Sequence, residues 1–239
     1  MGCASGPAIP DELAGTSVDE AALDDPAGAI NGAYTYFSVT ADARRCPSPM
    51  CGGWFIQRLN RQTTRCHDGR VADTCYTPVF DWSEANLPED LQSALLAAAW
   101  SATDGGVYAI VRGRFEPTNT TPLPNTGRFV VTEAWTAEKD TPADGVFVRV
   151  FDNGLRCFAP PCPSITEKTL NMGRVAEIAG MDFAPSGLGE DEIAECMQAM
   201  TLPGGMLVAG YRYTWYENAT SAKGRTVTAA YHRLGVTVP

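Results

Sequence analysis

Basic charge is scarce in this sequence. Of 239 residues, 18 are Lys or Arg and 28 are Asp or Glu, a net charge of −10. A nucleic-acid groove or a basic membrane patch needs clustered cations, so the balance argues against both. No run of about 18 apolar residues occurs, which argues against a bilayer-spanning helix. Histidine is nearly absent: only His67 and His232 are present, which limits metal-site and acid–base chemistry. There is no Gly-rich phosphate loop, no H-E-x-x-H, no G-x-S-x-G and no EF-hand loop. No catalytic residue, cofactor or metal is therefore expected. Hydrophobic residues still make up 44%, ordinary for a globular chain and too many for a disordered one.

Residues 1–32 read as a flexible acidic tether. Pro7 and Pro10 interrupt a small, polar stretch, and Asp19, Glu20, Asp24 and Asp25 give it charge without an aromatic residue. Such a segment buries too little apolar surface to offset its ordering entropy. Cys3 stands at its head. A Cys before an Ala/Gly/Ser/Pro-rich tail is how a mature bacterial lipoprotein begins, so Cys3 is the expected lipidation site. The expected location is the bacterial cell envelope, or outside the cell as a secreted protein. The alternative is a cytoplasmic chain with a chance Cys.

The rest of the chain reads as a tandem duplication. Arg45-Cys46-Pro47-Ser48-Pro49-Met50-Cys51 matches Arg156-Cys157-Phe158-Ala159-Pro160-Pro161-Cys162, since 157 − 46 and 162 − 51 both give 111. Asn60 and Asn171 keep that offset. Ordered matches continue at smaller offsets: Asp81-Trp82 with Asp182-Phe183, Leu87 to Asp90 with Leu188 to Asp191, and Gly127-Arg128 with Gly224-Arg225. The expected organisation is repeat 1 over 33–137, a polar linker over 138–144 and repeat 2 over 145–239. In each copy a strand, the Cys loop, two further strands, a short helix and two closing strands are expected. Glu89/Asp90 and Glu190/Asp191/Glu192 suit helix N-termini, where the dipole favours acids. The expected fold class is α+β, as two tandem homologous repeats, each a mainly antiparallel five-stranded sheet with one short helix. The five tryptophans are expected in or beside the core.

Cys46/Cys51 and Cys157/Cys162 share C-x4-C spacing, and Cys66/Cys75 flank a turn at Asp68-Gly69. Disulfides 46–51, 66–75 and 157–162 are expected, each closing a short loop worth roughly 2–3 kcal/mol. Such bonds persist in an oxidising compartment. The rival reading places zinc on Cys46, Cys51, Cys66 and Cys75, but copy two keeps only one of the two pairs. Cys196 falls on the apolar face of its helix and reads as a buried thiol.

The Cys loops are the candidate binding feature. Each carries two prolines, Pro47 and Pro49 or Pro160 and Pro161, with Arg44, Arg45 and Arg156 just before them. A stiff, exposed loop loses little freedom on binding. The arginines have two expected uses, pairing with acidic partners or with the chain's own carboxylates. The competing reading of the loops is that they only pin a strand-to-strand crossover.

The pattern Arg45-Cys46-x4-Cys51-Gly52-Gly53-Trp54, then Asn60, then Asp81-Trp82, resembles an uncharacterised bacterial domain family of exported or lipid-anchored proteins. Copy two departs from it, with Pro163-Ser164 for the Gly-Gly and Phe183 for the Trp. The resemblance implies export and architecture and no activity. The reading reached is a non-enzymatic interaction or structural module of the envelope. Its partner is a protein or envelope component, without nucleic acid and touching the membrane only through a lipid on Cys3. One alternative is a protease-inhibitor-like binder presenting the Pro-rich loops. The other is an enzyme on an unrecognised scaffold, which a pocket joining His67 or His232 to carboxylates would support.

Overall fold

The structure is a computed structural model that describes residues 35–46, 50–102, 105–116, 127–217 and 220–236. The tether and Cys3, together with Pro47 and Pro49, lie outside the described residues. The first half contains β1 (Thr35–Ala41), β2 (Trp54–Arg58), β3 (Thr64–Arg65), β4 (Val71–Ala72), β5 (Cys75–Thr77), β6 (Phe80–Asp81), α1 (Glu89–Ser101), β7 (Ala109–Glu116) and β8 (Arg128–Ala137). The second contains β9 (Val146–Asp152), β10 (Ile165–Thr169), β11 (Val175–Ile178), β12 (Gly180–Asp182), α2 (Glu190–Ala199), β13 (Met206–Glu217) and β14 (Thr220–Arg233).

The expected α+β fold of two separate five-stranded sheets is corrected here. The structure is mostly β, and β8 pairs with β14, fusing both halves into one 12-stranded sheet. Its order is β11-β10-β9-β13-β14-β8-β7-β1-β2-β5, with β12 added in parallel to β14 and β6 in parallel to β8. The physical reason is the edge. A closing strand with one side unpaired exposes a row of backbone donors and acceptors, and two such strands satisfy each other. The third strands expected over 71–82 and 174–183 are shorter pieces, because in each half the chain pairs first with one neighbour (β5 with β2, β11 with β10) and then with another (β6 with β8, β12 with β14).

Period-2 alternation puts three cores on the two faces. On one face α1 seals Phe37, Val39, Val111 and Phe129 through Leu95 and Ala99. On the same face in the second half, α2 seals Val148, Val150 and Ile178 through Cys196 and Met200. The opposite face carries a shared core of Leu59, Ile110, Trp135, Phe147, Leu170 and Tyr231, drawn from both halves. Both helices begin with the acids expected of them, and Glu192 accepts the Gly189 N–H at 2.7 Å.

The sheet curls until the β1–β2 and β9–β10 hairpin ends meet. There Asn60 and Asn171 interlock. The Asn171 Oδ1 accepts the Tyr36 N–H at 2.9 Å, while its Nδ2 donates to the carbonyls of Tyr36 and Leu59 at 2.7 and 2.9 Å. The Asn60 carboxamide does the same to Phe147 and Leu170, at 2.8, 2.7 and 2.9 Å. Each side chain thus replaces a missing rung at the end of the other half's hairpin. Both asparagines hold left-handed backbone, φ 57° and 60°, which Asn tolerates better than most residues.

The halves differ at one end of the core, where three positions change character. In the first, Phe115 and Phe129 are directly opposed on β7 and β8 and meet edge to face at 5.2 Å, with Ile56 in the same core. The β3–β4 hairpin covers this end, with the ring of His67 6.1 Å from Phe115. Among its described residues the second half has no such hairpin, only a tight turn after β10. There Arg212 and Arg225 are the opposed pair, and Glu167 takes the place of Ile56; the strand register thus sets Arg225 at the position of Phe129, one residue off the Gly127-Arg128 with Gly224-Arg225 match read from the sequence. Glu167 and Arg225 are fully buried, and Glu167 accepts from Arg225 Nε at 2.7 Å and from Arg212 Nε at 2.8 Å. Arg225 also donates to the Gly210 carbonyl at 2.9 Å. At this end of the core a hydrogen-bonded ion cluster, with only Arg212 partly open to water, stands where the first half has apolar side chains.

Candidate functional site

Three disulfides form, Cys46–Cys51, Cys66–Cys75 and Cys157–Cys162, with Cα separations of 5.4, 5.3 and 5.5 Å. They are the pairs expected from the spacing. Cys196 is a buried free thiol, and desolvation together with nearby Glu138 pushes its pKa up to about 12. Thiol titration of the unfolded, unreduced protein should therefore find Cys196, with Cys3 as a second group if unmodified. Seven or eight thiols would contradict the pairing. In the native protein Cys196 should stay silent to alkylating reagents at pH 8, because it is both shielded and protonated.

The arginines before the loops divide. Arg44 is tied to Asp42 by bonds of 2.8 and 2.9 Å and lies over the rings of Phe55 and Tyr76. Arg156 grips Asp152 through bonds of 3.0 and 2.6 Å. Arg45 is exposed. Two of the three are thus bound to the chain's own carboxylates and act as pins at the loop base. The hydrogen bond from Arg156, joined by the Gly154 N–H, holds the Asp152 carboxyl down at about 2, against an ordinary 3.8. A depressed carboxyl pKa contributes stability above its unfolded value that is lost as pH falls through the folded value. The pin should therefore survive from pH 8 to pH 4 and open only near pH 2. The Asp152 carboxylate resonance, followed by NMR against pH, checks this, and a midpoint near 4 would contradict it.

In the second-half loop the Pro160–Pro161 peptide is cis, and Pro160 is exposed and Pro161 half-buried. Between them and the arginine, Phe158 is fully exposed at the loop tip, and Leu155 is exposed beside it. Under the loop lies a cleft of about 460 Å³, walled by the disulfide, Ile165, Met181, Met197 and Met200. Met197 is partly open to solvent. Phe158 and Leu155 were not singled out from the sequence, whereas the helical spacing of Ile193, Cys196, Met197 and Met200 sets Met197 on the apolar face, which its partial exposure corrects. The available signal was an aromatic residue inside a six-residue covalent loop, where the loop of the first half has Pro47.

The first half presents its own apolar edge. Trp100 is 52% exposed and meets Trp54 edge to face, and Met50 is exposed at the loop. The expectation that all five tryptophans lie in or beside the core holds for Trp135, which is fully buried, and is corrected for Trp100.

The histidines are not brought together. His67 packs in the first half, whereas His232 sits in the β8–β14 seam between the Thr136 hydroxyl at 2.9 Å and Glu138 at 3.0 Å. Neither lines the loop cleft. The cysteines of the zinc alternative are spent in disulfides, and among the described residues no group of three or more His, Cys, Asp or Glu is placed to hold a metal.

A family model described as a domain of unknown function, DUF6748, matches residues 35–236, from the first residue of β1 to just past β14. The chain belongs to that family. Comparison of this DUF6748 chain with curated proteins and with solved structures finds no significant match. The DUF6748 match runs across both halves of the sheet as one unit. The three disulfides of this DUF6748 domain are consistent with a secreted or extracellular setting, where such bonds persist. Among its described residues no helix is long and apolar enough to cross a membrane.

Proposed function

We propose that this DUF6748 protein is a non-enzymatic interaction module of the bacterial cell envelope, exported and held by a lipid on Cys3. In this reading it docks a protein partner through the second-half Cys loop. The observation that carries the reading is the fully exposed Phe158 beside the methionine-walled cleft. A large aromatic held in water contributes nothing to folding, whereas on a partner it buries area at a small entropic cost. Methionines below it adapt to the shape that arrives. The disulfide and the Arg156–Asp152 pin keep the loop in place beforehand. The same reading takes the chain as a tandem duplication. Its support is the 111-residue offset, the equal strand order on either side of the seam and the reciprocal asparagines.

A photo-crosslinking residue at position 158, expressed in the native host, tests the docking. One discrete protein adduct is expected, competed away by excess purified domain, and none from a probe at exposed Lys223. With the partner in hand, Phe158→Ser should weaken binding at least about tenfold, as loss of an aromatic anchor does. Its melting temperature should not change. No adduct, or equal labelling from both positions, would overturn the reading.

A further inference from the structure

On the face opposite the helices, cations gather without matching acids. Arg149 on β9 stands directly across from Lys168 on β10. Like charges at opposed strand positions repel and destabilise a sheet. Arg233 comes from the end of β14 to the same place. A methyl group built on Gly204 would lie 2.9 Å from Arg149 Nη2 and 3.0 Å from Arg233 Nη1, so these two nitrogens are at most 5.9 Å apart, 2.9 plus 3.0. Gly204 itself holds φ +109°, a backbone that other residues rarely adopt, so no side chain fills the space between the guanidinium groups.

Carboxylates do not balance this cluster. Glu133 is engaged by Arg112 at 2.6 Å and reaches Arg233 only at 4.0 Å. Asp152, on the wall of the adjoining cleft, is occupied by Arg156. Arg149 is fixed rather than loose: its Nε donates to the Gly204 carbonyl and its Nη1 to the Tyr36 hydroxyl at 3.3 Å. Its Nη2 has no protein partner among the described residues. Next to it opens a cleft of about 470 Å³, with Lys168 on one wall and an apolar lining of Phe151, Met200, Leu202 and Pro203. That volume is in the range of small-molecule sites.

We infer that Arg149, Arg233 and Lys168 form a binding site for an oxyanion, a carboxylate or phosphate, whose apolar remainder lies in the adjoining cleft. Guanidinium forks match the paired oxygens of both groups, and an arriving anion relieves the repulsion between the cations. The cation surplus sits in a chain of net charge −10, so it is a local construction rather than a general surface property. The two clefts share Asp152, Met200 and Thr201, but Phe158 lines neither the cation cluster nor its cleft, so its variant tells the two readings apart.

Titration of the full chain with inorganic phosphate and with octanoate, in a zwitterionic buffer at low salt, tests the site by NMR and calorimetry. Octanoate is expected to saturate it, shifting the Gly204 and Lys168 amides, with an affinity that falls as salt rises. Tighter octanoate binding supports a ligand whose apolar part fills the cleft, and equally tight phosphate binding would overturn the cleft's part in the inference. Arg149→Gln and Arg233→Gln should each weaken binding at least tenfold, and Lys168→Gln two- to fivefold. Phe158→Ser should leave binding unchanged. If Arg149→Gln fails to fold, the Arg233 and Lys168 variants decide. The inference is overturned if neither probe saturates the protein, if octylamine binds as well as octanoate, or if the Arg233 and Lys168 variants bind like the parent.

Discussion

Glu167→Ala is expected to remove about 3–5 kcal/mol of stability, because it leaves the buried Arg225 charge without its partner. For a domain of this size each kcal/mol moves the melting temperature by roughly 2–4 °C, so a loss of roughly 6–20 °C should be seen calorimetrically. The companion variant is the informative one. Glu167→Ile, Arg212→Phe and Arg225→Phe together install the apolar set that the first half carries as Ile56, Phe115 and Phe129. Replacing a whole buried ion cluster by apolar residues of fitting shape is often neutral or stabilising. The triple variant should therefore lie within about 2 kcal/mol of the parent. If it is as damaged as the single variant, the cluster is required for more than filling that end of the core.

The second large effect concerns the interlocked asparagines. Asn171→Ala deletes three hydrogen bonds to Tyr36 and Leu59; the Tyr36 carbonyl keeps the Leu59 N–H at 3.1 Å, whereas the Tyr36 N–H and the Leu59 carbonyl lose the carboxamide that bridged them. At about 1 kcal/mol per net hydrogen bond, plus about 1 kcal/mol for placing Ala at φ 60°, the cost is about 4 kcal/mol. Asn60→Ala should cost about the same through Phe147 and Leu170. Glycine at either position removes the bonds but accepts the backbone, so Asn171→Gly should be milder than Asn171→Ala. Denaturant unfolding of the four variants measures both contributions. An alanine variant as stable as the parent would mean that the two hairpin ends hold without this clasp.

Short-range features were the legible ones. The disulfides join cysteines five or nine residues apart, and the Asp68-Gly69 turn forms as its residue types predict, with the Gly69 N–H donating to the Cys66 carbonyl at 2.9 Å. Helix starts were legible because their acids answer a local dipole. The single sheet was not, because nothing in the order of strands within either half reveals that the edges of β8 and β14 would find each other. Asn60 and Asn171 were visible as a spacing, but their carboxamides act on residues about 90–135 positions away. The charge cluster was similarly hidden. Glu167, Arg212 and Arg225 look like the solvent-facing charges of three strands until the halves are superposed, when they fall on apolar positions. The exposed Phe158 ran against the habit of assigning aromatics to cores.

The crossed carboxamides carry a further consequence for assembly. Each half owns both a plug and a socket: the first has Asn60 and the Tyr36–Leu59 hairpin end, the second Asn171 and the Phe147–Leu170 end. Such self-complementarity is what an isologous dimer requires, with residue i meeting j and j meeting i. Held within one chain, the same contact is unimolecular, so dilution cannot take it apart.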